Sequence, residues 1–236
     1  PDLTTFVVNV KYTPPSAAGT AGQPGYQQGG IAGIQYSGGI DYWAQRDPLY
    51  PNPFLARNPA RSPYTSTVVD NIPTGNDIVQ LRSAGPNTLE FFDSSGAPIQ
   101  IGNPVFAYVS LNLNGYGFDK DFDILSYGDP ATGNDIGYFG TGTSYKSVVG
   151  SQYQLLGTGE PHGALQFKGA FSTVNWQSLS NEYWNGFTIG VPGLAADVNL
   201  SAGPDQTVTA GVNCQAVVQL SATVTGSTTV TSYSWT

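Results

Sequence analysis

Between residues 157 and 190, Leu165, Phe167 and Phe171 fall on one parity of an extended chain, and Gln166, Lys168 and Ala170 on the other. This period of two is the mark of a strand with one apolar and one wet face. Ser172 and Thr173 then shift the parity, so Val174 and Trp176 rejoin the same core only if the chain bends or bulges there. A polar connector, Gln177 to Asn181, leads to Tyr183 and Trp184, then to the alternating Phe187, Ile189 and Val191, closed by Pro192 and Gly193. Burying each large side chain contributes about 1.5 to 3 kcal/mol. Phe167, Phe171, Trp176, Trp184 and Phe187 are therefore the expected folding nucleus.

The remainder of the chain extends this pattern. Short runs of Val, Thr, Tyr, Phe and Ile are separated by 30 glycines and 17 prolines, and no long 3.6-residue periodicity occurs. The expected class is all-β, with a jelly-roll-like β-sandwich as the main domain. At 236 residues the chain is long enough to bury a sizeable core, and 12% aromatics with 10% charged residues describe a folded protein. A net charge of −8 with eight Lys plus Arg residues excludes a phosphate-backbone footprint, so no nucleic-acid partner is expected. Arg46, Arg57 and Arg61 read as loop anchors. No apolar run reaches the 18 or so residues of a membrane span. The start at Pro1, with neither initiator Met nor signal peptide, reads as a mature exported chain, extracellular or at the cell surface. Cys214, the single cysteine, has no internal disulfide partner.

Residues 1–15 form an expected N-terminal strand, with Phe6, Val8, Val10 and Tyr12 on one face. It either pairs within its own sheet or is donated to a neighbour's, and self-pairing ranks first. Residues 16–64 form a Gly- and Pro-rich loop or arm. Its aromatics, Tyr42, Trp43, Tyr50 and Phe54, either cover a sheet face or face a partner. In the second case Tyr42, Trp43 and Tyr50 are candidates for a saccharide platform, with Trp43 the better placed.

The expected sandwich core spans residues 65–194. Thr65 to Val69, Asp77 to Leu81, Leu89 to Phe92 and Val105 to Leu113 read as strands; the last is apolar on both parities and so belongs in mid-sheet. Phe118 to Ser126 sets Phe118, Phe122 and Ile124 on one face and Asp119, Asp121 and Asp123 on the other. With Asp129 and Asp135 these carboxylates are candidate ligands for calcium, a hard cation served by oxygen donors. The competing reading is a set of solvated turn carboxylates beside Lys120.

Several pieces in order, NDIVQL (Asn76 to Leu81), NPVFAYVSL (Asn103 to Leu111), YGFDKDFDILS (Tyr116 to Ser126), GTGEPHGALQFKGAFSTVNW and EYWNGFTIGV, resemble a domain of PEP-CTERM (exosortase-sorted) type exported proteins. The resemblance covers roughly Thr65 to Val191. It implies a secreted β-sandwich associated with surfaces or matrix, with no established general enzymatic activity. The family's C-terminal sorting tag is absent from this sequence.

After a short linker, 195–198, residues 199–236 resemble the opening half of a PKD-like immunoglobulin-type domain, in AGPDQTV at Ala202 to Val208 and YSWT at Tyr233 to Thr236. Val218, Leu220, Ala222 and Val224 share a parity and with Trp235 form half a core. About three strands are expected where such a sandwich has about seven. The remainder is expected downstream of Thr236 or from another subunit.

His162, the single histidine, sits in a turn entering a strand; the structural reading, a histidine bonded to that turn, stands ahead of a catalytic one. Glu90, Glu160 and Glu182 supply carboxyl groups, as any acidic protein does. No GxSxG elbow or GxxxxGK[ST] loop is present. The leading expectation is a non-catalytic extracellular structural protein, a surface filament or biofilm-matrix subunit. It would assemble with copies of itself by strand exchange through Phe6, Val8, Val10, Val218, Leu220 and Trp235. The alternatives are a carbohydrate-binding adhesin module with a polysaccharide partner, and a β-sandwich polysaccharide hydrolase.

Overall fold

A computed structural model describes residues 8–15, 20, 23–24, 41–46, 55–56, 58–73, 78–112, 114–191, 199–201 and 223–225. The chain forms two compact units, Pro1–Leu194 and Ala195–Thr236. In chain order the strands of the first begin with β1 (Asn9–Thr13), β2 (Gln45–Arg46), β3 (Leu55–Ala56), β4 (Val79–Leu81), β5 (Gly85–Phe92) and β6 (Ile101–Gly102). They continue with β7 (Val105–Val109), β8 (Tyr116–Phe118), β9 (Phe122–Tyr127), β10 (Ile136–Gly137) and β11 (Gly142–Val149). The last five are β12 (Gln152–Gly159), β13 (Gly163–Phe167), β14 (Ala170–Phe171), β15 (Thr173–Ser178) and β16 (Asn185–Gly190). In the second unit β17 (Asn199–Ser201) pairs antiparallel with β18 (Thr223–Thr225).

Two antiparallel sheets make the sandwich. One has six strands in the order β1-β5-β15-β8-β12-β11, the other five in the order β4-β16-β7-β13-β9. The all-β, β-sandwich class expected from the sequence is what the chain forms. Between the sheets lies an aromatic core in which Phe106 stacks on Phe187 at 4.8 Å and Trp176 meets Phe187 edge-on at 5.2 Å. The parity shift at Ser172 is resolved by a change of sheet. Phe167 belongs to the five-stranded sheet and Val174 and Trp176 to the six-stranded one, so both sets point into the same interior.

Every residue of β7 is buried, as its apolar residues on both parities require. Phe106 and Tyr108 face the main core, while Ala107 and Val109 face a second cluster of Trp43, Tyr64, Ile72 and Ile78 on the sheet's outer side. The arm therefore covers a sheet face with Trp43. Thr65 to Val69 is not a strand but a turn closed by Ser66 N–H donating to the Val69 carbonyl at 2.8 Å. That segment belongs to the cover. Between it and the sheet lies a cleft of about 470 Å³, floored by Val105, Ala107 and Ala164 and edged by Asp70 and Asn71.

The N-terminal strand pairs within its own chain. Asn9 to Thr13 lie opposite Phe92 to Thr88 of β5, Tyr12 stacks on Trp176, and Val8 packs against the main core. Val10 is 39% exposed at the sheet edge. The N-terminal segment carrying Val8 and Val10 is thus self-paired in this chain, the arrangement that ranks first from its sequence. Phe6, Tyr50, Val218, Leu220 and Trp235 lie outside the described residues. Among the described residues no helix is long and apolar enough to cross a membrane.

Candidate functional site

The five aspartates do not assemble into a ligand set. The run from Phe118 to Ser126 is two strands, since β8 ends in the six-stranded sheet and β9 begins in the five-stranded one. Both Phe118 and Phe122 turn inward, and burying two rings on opposite sheets forces the corner at Asp119 to Asp121. Lysines neutralise the carboxylates there. Lys146 binds Asp121, and its ammonium also donates to the Phe122 carbonyl at 2.8 Å. Lys168 reaches Asp123 at 2.7 Å and Asp121 at 3.7 Å, and Lys120 reaches Asp119 at 3.2 Å. Asp119 also accepts from the Asn175 backbone N–H and side-chain amide, both at 3.0 Å. Asp129 accepts from the Ala131 N–H of its own turn at 2.9 Å, and Asp135 pairs with Arg61 at 2.5 Å. Among the described residues no group of three or more acidic, His or Cys side chains is placed to hold a metal ion.

Trp43 leaves the saccharide platform for a similar reason. It is fully buried, with its ring edge-on to Tyr64 at 4.9 Å. Tyr42, the residue before it, is half-buried against the same cluster, as Trp184 is, and joins a ring group that sequence reasoning only half anticipated. β2 pairs with β10, which brings Tyr42 to the tight turn Gly137–Gly140, closed by reciprocal backbone bonds of 3.1 and 3.2 Å. The tip of that turn carries Tyr138 and Phe139. Tyr42 lies 4.9 Å from Tyr138, 5.4 Å from Phe139 and 5.1 Å from Trp184, and Phe139 lies 5.4 Å from Trp184. Phe139 is 37% exposed, the others are half-buried, and Tyr183 beside them is 62% exposed. The signal in the sequence was two aromatics held between glycines in GYFG, a turn with no core to face.

Glu160 stands at the edge of these rings. A Cβ added at Gly140, next to Phe139, would lie 3.9 Å from Glu160 Cγ. The turn that carries it is latched on three sides. Glu160 N–H donates to the Thr141 carbonyl at 3.0 Å, Leu111 N–H donates to the Pro161 carbonyl at 3.0 Å, and Ser110 Oγ donates to Glu160 Oε2 at 3.1 Å. Ser110 is a buried non-glycine residue with φ of 55°, a left-handed conformation that ends β7 and aims its hydroxyl at the carboxylate. Burial raises the Glu160 carboxyl above its ordinary value, against the opposing effect of the Ser110 bond. Burial and the Glu160 charge likewise raise Glu182, whose Oε2 accepts from the Tyr183 N–H at 3.1 Å. Glu182 N–H donates to the Arg82 carbonyl at 2.8 Å.

His162 takes no part in this surface. Its Nδ1 lies 2.7 Å from the Glu160 carbonyl, which can only accept, so Nδ1 carries the proton and Nε2 is left with a lone pair. Nε2 is buried with no hydrogen-bond partner, against Gly128 and Gly137, where an added Cβ would overlap the ring. Burial lowers its pKa from 6.5 to about 4. A neutral ring sealed in this way orders the turn through the Glu160 carbonyl.

The class defined so far is an all-β sandwich with a half-exposed aromatic rim and two carboxylates, Glu160 and Glu182, at one end of the five-stranded sheet. Among known proteins, no family model, no curated protein and no solved structure matches this chain.

Proposed function

We propose that this chain is an exported, non-catalytic carbohydrate-binding module of adhesive type that takes polysaccharide on the rim of Tyr42, Tyr138, Phe139 and Trp184. The observation that carries this reading is a cluster of rings partly open to solvent with a positioned carboxylate beside it. The apolar C–H face of a pyranose suits Phe139 and Trp184, and its hydroxyls are donors for Glu160 and Glu182. The rigid turn latched by Ser110 and His162 holds the acceptor in place before the ligand arrives, which lowers the ordering cost of binding. The PEP-CTERM-type resemblance supports export. Screening on a glycan array followed by calorimetry tests the proposal. Phe139→Ala and Trp184→Ala are expected to abolish binding with the fold retained by circular dichroism. Unchanged binding in both variants overturns it.

A second reading, a surface-filament or biofilm-matrix subunit, draws on β11. This eight-residue strand lies at the edge of the six-stranded sheet and exposes Tyr145, Val148 and Val149. Long apolar edge strands favour pairing with another chain. Light scattering and electron microscopy across a concentration series test it: Val148→Lys is expected to disperse any assembly, and a monomer at all concentrations counts against it.

A further inference from the structure

The angles between the rim's rings decide which physical form of a polysaccharide it can take. Phe139 is inclined 27° to Tyr42 and 42° to Trp184, and Tyr42 is inclined 54° to Trp184. Tyr138 stands at 83° to Tyr42 and 71° to Phe139. The centroids of these pairs lie 4.9 to 5.4 Å apart, so the rings form one compact patch and not a row of separate platforms. The backbone fixes the arrangement. Tyr138 and Phe139 occupy the tip of a turn closed by bonds between Gly137 and Gly140, and Gly140 has a φ of 135°, which glycine supplies. Tyr42 lies just before β2, which pairs with β10 at the foot of that turn, and Trp184 immediately precedes β16, held between β4 and β7. Rotating the rings into one plane would break the contacts that hold them.

The face of a crystalline polysaccharide is flat and rigid. A ring lying flat on it would tilt every ring it touches away by 27° or more. A solvated chain twists, so successive units can turn their apolar C–H faces toward differently inclined rings. Its hydroxyls are also free of neighbouring chains and available to a carboxylate. Resting on the carbohydrate-binding reading above, we propose that the rim takes a short stretch of a single solvated polysaccharide chain and rejects the crystalline face of the same polymer. Phe139, the most open of the four rings, would stack on one sugar unit, and Trp184 would meet the next at its own inclination.

The test measures soluble oligomers of cellulose and of chitin by calorimetry along a ladder of lengths, and the crystalline powders of both polymers by depletion of protein from solution. Binding through the rim is the part lost in Phe139→Ala and in Phe139→Leu, which keeps an apolar side chain at the tip without a flat face. Phe139 belongs to neither buried core, so both variants are expected to keep the wild-type circular dichroism. Rim-dependent affinity is expected to be at least about tenfold higher for the oligomers than for the powders, and to level off after the first few units. Rim-dependent binding to a powder within tenfold of its oligomers overturns this inference and leaves the carbohydrate-binding reading standing. Affinity that goes on rising with every added unit also overturns it, because the ligand then runs beyond the patch. Failure of every oligomer to bind overturns it too, and the carbohydrate-binding reading then stands or falls on the glycan array.

Discussion

Acidification from pH 7 to 4, read against a variant without the imidazole, probes the burial of His162, because it is the single histidine of the chain and histidine is the side chain whose ordinary pKa lies between 5 and 8. Its side chain is 1% exposed, and loss of solvation lowers its pKa from 6.5 to about 4. Nδ1 already donates to the Glu160 carbonyl, and Nε2 faces no acceptor that would welcome a second proton. Above the unfolded pKa of 6.5 both states hold a neutral ring, and the fold keeps its full stability. As the pH falls from there, the unfolded chain takes up a proton that the folded chain refuses. Stability is lost across this window and the loss levels off below the folded pKa. At about 1.36 kcal/mol per pH unit the whole window is worth about 3 kcal/mol. For a domain of this size that corresponds to about 6 to 12 °C in Tm. Glu160 and Glu182 act in the opposite sense, since their folded pKa values are raised and stability grows as the pH falls through them. Asp93 and Asp121, held low by hydrogen bonds and Lys146, add a loss at still lower pH. The difference between the wild-type chain and His162→Asn removes these shared contributions. Asparagine keeps an N–H for the Glu160 carbonyl and does not titrate. Denaturant melts at intervals from pH 7 to 4 are expected to show the wild type losing about 3 kcal/mol more than the variant. Parallel curves would refute the burial argument.

Gly128→Ala places a methyl group inside the His162 ring, so thermal melts are expected to show a loss of about 3 kcal/mol. Pairing it with His162→Ala should cost less than the two separate losses combined, and strict additivity would count against the contact. Trp43→Ala is expected to cost about 3 to 5 kcal/mol in chemical denaturation through the cavity it leaves under the arm. A fully stable variant would mean that the ring is not a cover. Calcium or a chelator is expected to leave the Tm unchanged, because Lys120, Lys146 and Lys168 already occupy the places a cation would take. A rise in Tm with calcium would show that the lysines yield.

Much of the sandwich was legible because strand faces are written locally. Alternation in Leu165 and Phe167, and the absence of alternation in Val105 to Val109, predicted which strands have one covered face and which have two. His162 was likewise readable, since the turn it bonds is its own. The corner at Asp119 to Asp121 was not readable in the same way. Phe118, Phe122 and Ile124 share a parity with Lys120 between them, and that parity reads the same whether a strand runs straight or changes sheets, because in both cases the rings end up inside.

The aromatic rim shows where local reading stops. Its rings come from positions 42, 138, 139 and 184 and its neighbouring carboxylate from 160, and nothing local to any of them says that they meet. The amino-acid sequence alone determined that the chain is built of β-strands, which side chains are fit for a core, and that histidine chemistry had one residue to draw on. Tertiary structure decided that Trp43 is sealed while Tyr42 is half open, that three lysines meet Asp119, Asp121 and Asp123, and that Ser110 meets Glu160. The physical reason is that burial and charge pairing depend on strand order across the sheets, and that order is set by contacts between residues far apart along the chain.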